Sequence, residues 1–271
     1  MLRDITIGQY YREESVIHRL DPRVKLAGTF IYIILLFIFD NIWGYALATL
    51  AFAVVVKASR IPLKFILKGL RPILFLLLLT VFFNMFFVTG THVILQYGII
   101  RITWEGLKSA AFMGIRLILL ILGSSLMTYT TTPNHLTDGL EKGLNWMNKF
   151  KVPIHEIAMM MSIALRFIPI LLEETDIIMK AQSARGVDFE HGRVWTRAKN
   201  MVPILVPLFI SAFRRANDLA RAMEARCYRG GEGRTKMKPL VYARRDRAAY
   251  LLVVVYIALL IAGDRTLAYF L

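Results

Sequence analysis

The sequence predicts an all-α, polytopic membrane protein with five transmembrane helices and a cytoplasmic module of long amphipathic helices. Three observations carry this fold class. Hydrophobic residues make up 56% of the 271 positions, and the mean hydropathy is +0.53, well away from ordinary soluble domains. Five apolar runs are bounded by charged or turn-forming residues, and between the fourth and fifth the texture changes to three- and four-residue apolar steps.

The runs are Leu26 to Phe39, Ile42 to Val56, Ile73 to Val88, Ala110 to Met127 and Ala248 to Ala262. Most fall short of the roughly 20 residues of a straight crossing, so flanking residues, tilt or local thinning must complete them. Only Asp40 and Asn41 separate the first two, which predicts a tight external hairpin with Trp43 as an interfacial anchor; two re-entrant halves would need protein cover for their freed backbone groups. The resulting organisation is an N-terminal membrane domain of four spans over 1–132, a cytoplasmic module of long helices over 133–247 and a C-terminal transmembrane helix over 248–271.

Orientation follows from the cations. With a cytoplasmic N-terminus the inner side receives five Lys and Arg before residue 26, five from Lys57 to Arg71 and twenty from Lys142 to Arg247. The outer side keeps Arg101, Lys108 and Arg265, while Arg116 and Asn84 lie within spans. In the short segments that the positive-inside rule counts, the tally is ten against three, so the C-terminus is expected to be external. The chain opens Met1-Leu-Arg-Asp and its first apolar run starts at Leu26, so the spans themselves are expected to target it. A single cysteine, Cys227, leaves no internal disulfide or thiolate metal cage and suits a reduced cytoplasmic thiol. The net charge of +15, gathered beside spans, points to anionic lipid and acidic protein surfaces and not to nucleic acid.

The segment from Pro133 to Arg247 is punctuated by Pro153, Pro169, Pro203, Pro207 and Pro239. In its first long helix Arg166, Glu173, Asp176, Lys180 and Ser183 form a polar stripe opposite Phe167, Ile170, Leu171, Ile178 and Ala181, with Asp176 and Lys180 spaced for an ion pair. The second repeats Leu205, Leu208, Phe209, Ala212, Phe213, Ala216, Leu219, Ala220 and Met223 on one face and Arg214, Asp218, Arg221 and Glu224 on the other. Ala212, Ala216 and Ala220 are small enough to let a helix backbone approach, so the two helices are expected to cross there. Met201 to Phe213 is too short and proline-rich for a span and is expected at the interface, offering Leu, Phe and Met side chains to a second membrane protein.

Two short segments nearly repeat, 41 positions apart: Ala181-Gln-Ser-Ala-Arg-Gly186 and Ala222-Met-Glu-Ala-Arg-Cys227. Each places an arginine where its helix stops, before a glycine or near Gly230-Gly231. Simple capping gains about 0.3 to 1 kcal/mol from the helix dipole and explains a cation, but not the same Ala-Arg-small context twice. The sharper expectation is a guanidinium fork onto a partner's carboxylate, with the small neighbours letting the helix end enter a groove. Upstream of the first span, Asp21 is an N-cap candidate and Pro22 suits the first helical position. Leu20, Asp21, Pro22, Arg23 and Lys25 therefore read as setting where the span leaves the cytoplasm, in preference to direct substrate contact, with Arg23 and Lys25 at headgroup level.

These features resemble the transmembrane coupling subunit of energy-coupling factor (ECF) transporters, the EcfT/CbiQ family of prokaryotic vitamin and metal importers. The resemblance covers nearly the whole chain and rests on His18-Arg-Leu-Asp-Pro-Arg-Val-Lys25, the multi-span order, Ala184-Arg185-Gly186 and Ala225-Arg226-Cys227. It implies a multi-pass protein of the prokaryotic cell membrane whose Arg185 and Arg226 dock into two ABC-type ATPase subunits. It further implies that the helices bearing them transmit ATP-driven motion, and that their membrane-facing surface holds a small substrate-binding membrane protein, the S component. Cys227 stands where glycine would be equally at home. ATP and Mg are then expected on the partner ATPases, with no cofactor on this chain.

The residues agree with a non-catalytic role. Gly230-Gly-Glu-Gly-Arg-Thr-Lys236 does not satisfy a phosphate-binding loop and follows no strand. His155-Glu156-Ile-Ala-Met159 is half of a zinc-protease motif without the second ligand. A membrane enzyme acting on lipid or phosphate substrates would have to use Asp188, Glu190 and His191, which look more like a helix exit. A stand-alone carrier would show broken helices or ionisable residues through the spans, and only Arg116 answers to that, with outward snorkelling as its plainer reading. For Asn84 an interhelical hydrogen bond is the expectation.

Overall fold

The computed structural model describes residues 10–39, 41–88, 92–97, 100–189, 194–231, 237 and 239–270. Asp40 of the expected hairpin, Glu190 and His191 of the helix exit, and residues 232–236 of the glycine-rich loop lie outside them. The order is α1 (Pro22–Ile38), α2 (Ile42–Ser59), α3 (Leu63–Lys68), a 3-10 turn (Arg71–Ile73), α4 (Leu74–Phe87), β1 (Val93–Tyr97), β2 (Ile100–Thr103), α5 (Trp104–Thr130), α6 (Pro133–Gly143), a 3-10 turn (Asn145–Phe150), α7 (Ile154–Ala184), α8 (Val194–Ala225) and α9 (Arg244–Phe270). The chain forms two compact units, one built on 7–139 and 240–271, the other on 140–239. The helical class holds, with one addition: β1 and β2 pair antiparallel, Val93 opposite Thr103 and Tyr97 opposite Ile100.

In the first unit α5 is the central post, packed by α1, α2, α3 and α4. Its start is fixed by Thr103, whose hydroxyl accepts from Gly106 N at 3.1 Å, an N-cap that satisfies an orphan helix donor. Gly106, Ala110 and Gly114 form a small-residue strip on its buried side. A Cβ on Gly106 would lie 3.1 Å from both Met85 O and Val88 O, and one on Gly114 would lie 3.2 Å from the Val81 side chain. The strip thus lets α4 approach backbone to backbone, the packing that works where lipid removes any hydrophobic drive between helices. Leu119, Leu122 and Leu126 continue the same helix into two apolar clusters, with Leu36, Tyr45 and Ala48 around one and Val56, Ile61 and Ile66 around the other.

Among the described residues five helices are long and apolar enough to cross a membrane: Ile42–Ser59, Leu63–Phe87, Trp104–Thr130, Ile154–Ala184 and Arg244–Arg265. Four contain expected spans. The run Leu26 to Phe39 lies in α1, whose 17 residues fall just short, while α7 qualifies in its place. Lys25 Nζ, in the first turn of α1, donates to Thr130 O at the end of α5 at 2.8 Å, and Asp21 N donates to Asp246 Oδ1 at the start of α9 at 2.9 Å. Thr130 and Ala243 therefore lie at one end of the bundle. α8, interrupted by Pro203 and Pro207, is not among the helices apolar enough to cross. α1 lies beside α9, and Asn41 just beyond its end hydrogen-bonds Asp264 near the end of α9. At about 1.5 Å per residue α1 is close to the hydrocarbon thickness.

Candidate functional site

The two arginine segments close their helices in the same way. After α7, Val187 N donates to Gln182 O at 3.1 Å and Gly186 N to Ser183 O at 3.0 Å; after α8, Tyr228 N donates to Met223 O at 3.0 Å and Cys227 N to Glu224 O at 2.8 Å. Each is a Schellman closure, in which a 6→1 and a 5→2 bond satisfy the last carbonyls and the residue between must be left-handed. Gly186 has φ +90° and Cys227 has φ +56°. Cys227 is thus the harder residue for that position, because a Cβ opposes left-handed backbone; the sequence alone presents the Gly-to-Cys difference as neutral. Arg185 and Arg226 occupy the same capping place in the two motifs. Both are exposed, as are Ala184, Gly186, Ala225 and Cys227. Among the described residues neither guanidinium makes a hydrogen bond or ion pair.

α7 and α8 run antiparallel. Asn200 Nδ2 reaches Asp188 O at 2.6 Å beside the connection, and Arg215 Nη2 meets Glu174 Oε2 at 2.9 Å farther along. The two arginines consequently sit at opposite ends of the pair. The stretch beyond the ion pair holds an open apolar groove of about 280 Å³, lined by Ile163, Phe167 and Leu171 of α7 and by Ala212, Ala216 and Ala220 among others of α8. The structure therefore turns Ala212, Ala216 and Ala220 toward α7, and leaves Leu208 partly buried. Leu205, Phe209 and Phe213 point away, 57%, 66% and 58% exposed, and Met201, Val202, Val206 and Ile210 extend the same apolar face. Asp176 and Lys180 form no ion pair; the polar tie runs between helices instead.

The N-terminal motif is used up within its own unit. Asp21 caps α1, accepting from Arg23 N at 2.9 Å, and Pro22 is at the first helical positions. Its carboxylate also holds the Arg23 guanidinium through Nε at 3.0 Å and Nη2 at 2.8 Å, and that guanidinium stacks 3.8 Å over Tyr242. Leu20 N closes the preceding turn onto Ile17 O. Lys25 Nζ donates to His18 O as well as to Thr130 O. His18 takes the Ser15 hydroxyl at Nδ1, 2.7 Å, and gives Nε2–H to Tyr11 O, 3.1 Å. Burial first, then the Lys25 ammonium, lowers its pKa. Asp246, the hidden partner of this motif, is 2% exposed and accepts from Asp21 N and from Ala243 N at 2.7 Å. Nothing near Asp246 in the sequence advertises that role.

Arg116 turns inward, donating Nε–H to Tyr45 OH at 3.0 Å with Phe37 beside it; the snorkelling expectation is corrected, because α2 supplies an acceptor. Asn84 Nδ2 donates to Thr80 O one turn back in its own helix at 3.0 Å, so its bond is intrahelical, as expected of a short amide side chain four residues from a carbonyl. His155 of the half zinc motif pairs with Glu141 at 3.0 Å. Among the described residues no three His, Cys, Asp or Glu side chains group to hold a metal.

Helices long and apolar enough to cross a membrane, together with a long-helix pair carrying exposed arginine tips, define a multi-pass membrane protein. The family described as CbiQ, cobalt transport protein, matches residues 13–237. The chain belongs to this family. It is 57% identical over 246 residues, 91% of this chain and 92% of the other, to the energy-coupling factor transporter transmembrane protein EcfT of Ruminiclostridium cellulolyticum. It is 52% identical over 260 residues to the protein so named in Clostridium kluyveri, covering 96% of each. Against that of Bacillus subtilis it is 47% identical over 260 residues, 96% of this chain and 98% of the other.

Proposed function

We propose that this protein is the transmembrane coupling subunit of an ECF-type ABC importer, carrying ATP-driven motion from two ATPase subunits to a substrate-binding S component for vitamin or metal-ion uptake. Arg185 and Arg226 are the docking prongs, each forking onto a carboxylate in one ATPase. Ala184, Gly186, Ala225 and Cys227 keep the helix ends slim enough to enter. The outward face at Leu205, Phe209 and Phe213 holds the S component. The arginine-bearing unit lies in the cytoplasm with the N-terminus, on the side rich in lysine and arginine, and the C-terminus is external. ATP and Mg belong to the partner chains, and this subunit performs no catalysis.

The observation that carries this reading is the pair of matching Schellman closures presenting two unpaired, exposed arginines. A solitary surface arginine usually finds nothing to do; two in one geometry at opposite ends of one helix pair fit two equivalent sockets. The test is purification from mild detergent with the ATPases and S component co-expressed, comparing the parent with Arg185→Ala/Arg226→Ala. The double variant is expected to insert in the membrane yet lose ATPase capture and uptake. Uptake at the parental rate would overturn the assignment. Arg→Lys at either site is also expected to weaken capture, because an ammonium cannot reproduce the planar two-pronged geometry.

A further inference from the structure

The 41-residue offset that relates Arg185 to Arg226 also relates Glu174 to Arg215, the two residues that meet across the helix pair. Each arginine tip therefore lies 11 residues beyond its own member of the ion pair. At about 1.5 Å per residue the two arms are each about 16 Å long and extend in opposite directions. Residues 175–184 and 216–225 contain no proline or glycine, so the arms are stiff; Pro169, Pro203 and Pro207 all lie on the other side of the pair in their helices. A proline removes one backbone bond and kinks a helix, so bending is confined to the stretches behind the contact.

What fixes the register at that contact is mostly polar. Beside it α8 presents Ala212, Ala216 and Ala220 together with Leu219 and Met223 to an open groove, and the short alanine side chains there leave room for a slide. Glu174 is held by Arg215 and, one turn earlier on α8, by Ser211. The other polar ties, Asn200 to Asp188 O and Arg197 to Phe189 O, hold the connection and not the arms.

We propose that the Glu174–Arg215 ion pair is the pivot of the α7–α8 pair: it fixes the register that places Arg185 and Arg226 at equal reach on either side, and so sets their spacing. Its functional meaning rests on the docking role given to those arginines, but the spacing itself is a property of this chain. A one-turn slip of α8 along α7 changes the tip separation by about 5.4 Å, enough to take one guanidinium out of its socket when the other is seated.

The experiment measures distances between spin labels at Lys180→Cys and Arg221→Cys, with Cys227→Gly removing the native thiol, in the full chain reconstituted in lipid nanodiscs. The unsubstituted pair should give one narrow distribution. Glu174→Gln and Arg215→Ala are each expected to broaden it or shift it by about 5 Å, and Glu174→Arg with Arg215→Glu should restore it. A distribution unmoved by both single variants, or not restored by the exchange, overturns the pivot. ATPase capture by Arg185→Ala/Arg226→Ala is measured in parallel: retained capture would defeat the docking role while leaving the distance result intact.

Discussion

Reversing the two cap residues, Gly186→Ala in one protein and Cys227→Gly in another, should move the two helix ends in opposite directions. A left-handed residue costs an L-amino acid about 1 kcal/mol relative to glycine. No heavy atom lies within 4 Å of a Cβ built on Gly186, so Gly186→Ala carries that backbone cost without a steric one. Cys227, at φ +56°, already bears it, and glycine would relieve it. Since about 1.4 kcal/mol is tenfold, 1 kcal/mol is about a fivefold change in the fraying of the last turn. The reporters are the amides of Val187 and Tyr228, which close the 6→1 bonds. Hydrogen exchange at Val187 should speed about fivefold in Gly186→Ala, and exchange at Tyr228 should slow about fivefold in Cys227→Gly. Equal exchange in parent and variants, or a shift of the same sign in both, would refute the claim that left-handed closure sets how firmly each arginine is presented.

Asp246→Ala strips the buried acceptor from Asp21 N and Ala243 N and should destabilise the bundle by about 2 to 4 kcal/mol; thermal unfolding in detergent checks it, and a parental Tm would contradict the network. Gly106→Leu drives a side chain against the Met85 and Val88 carbonyls and should cost about 1 to 3 kcal/mol by the same assay, whereas no loss would mean α4 can stand farther off. His18, whose pKa is lowered from the usual 6.5, takes up a proton more readily unfolded than folded. Its contribution to stability is therefore present at neutral pH and declines as pH falls below about 6.5 toward its lower folded value. The drop in Tm between pH 7.5 and pH 5 should shrink in His18→Gln, and an unchanged drop would remove His18 as its source.

Much of the bundle is legible along the chain, because burial in lipid demands unbroken apolar runs and these are visible one residue after another. Asp21-Pro22 is equally plain, since capping is a local matter of one side chain and two backbone donors. α7 shows where that reasoning stops: its hydropathy passes for a span although its sequence reads as an amphipathic helix, and the bonds from Lys25 to Thr130 and from Asp21 to Asp246 show what no apolar run can, which helix ends share one end of the bundle. The β1–β2 pairing escapes notice because two strands of five and four residues leave little periodicity. The 41-residue repeat points to both arginines, but not to Glu174 and Arg215. Those two do not look alike, and their kinship is positional, appearing only when the helices fold back on each other.

The membrane class, the helix ends and the place of the two arginines at those ends are written locally, because each depends on neighbours within a turn or two of chain. The pairing comes from the folded chain: which end of the bundle each helix shares, which face of α8 meets α7, and that the two arginines lie at opposite ends of that pair. Those depend on contacts between residues tens to hundreds of positions apart, and on a groove whose shape belongs to two helices at once. No linear pattern encodes a distance between helix ends until an ion pair has fixed where the helices touch.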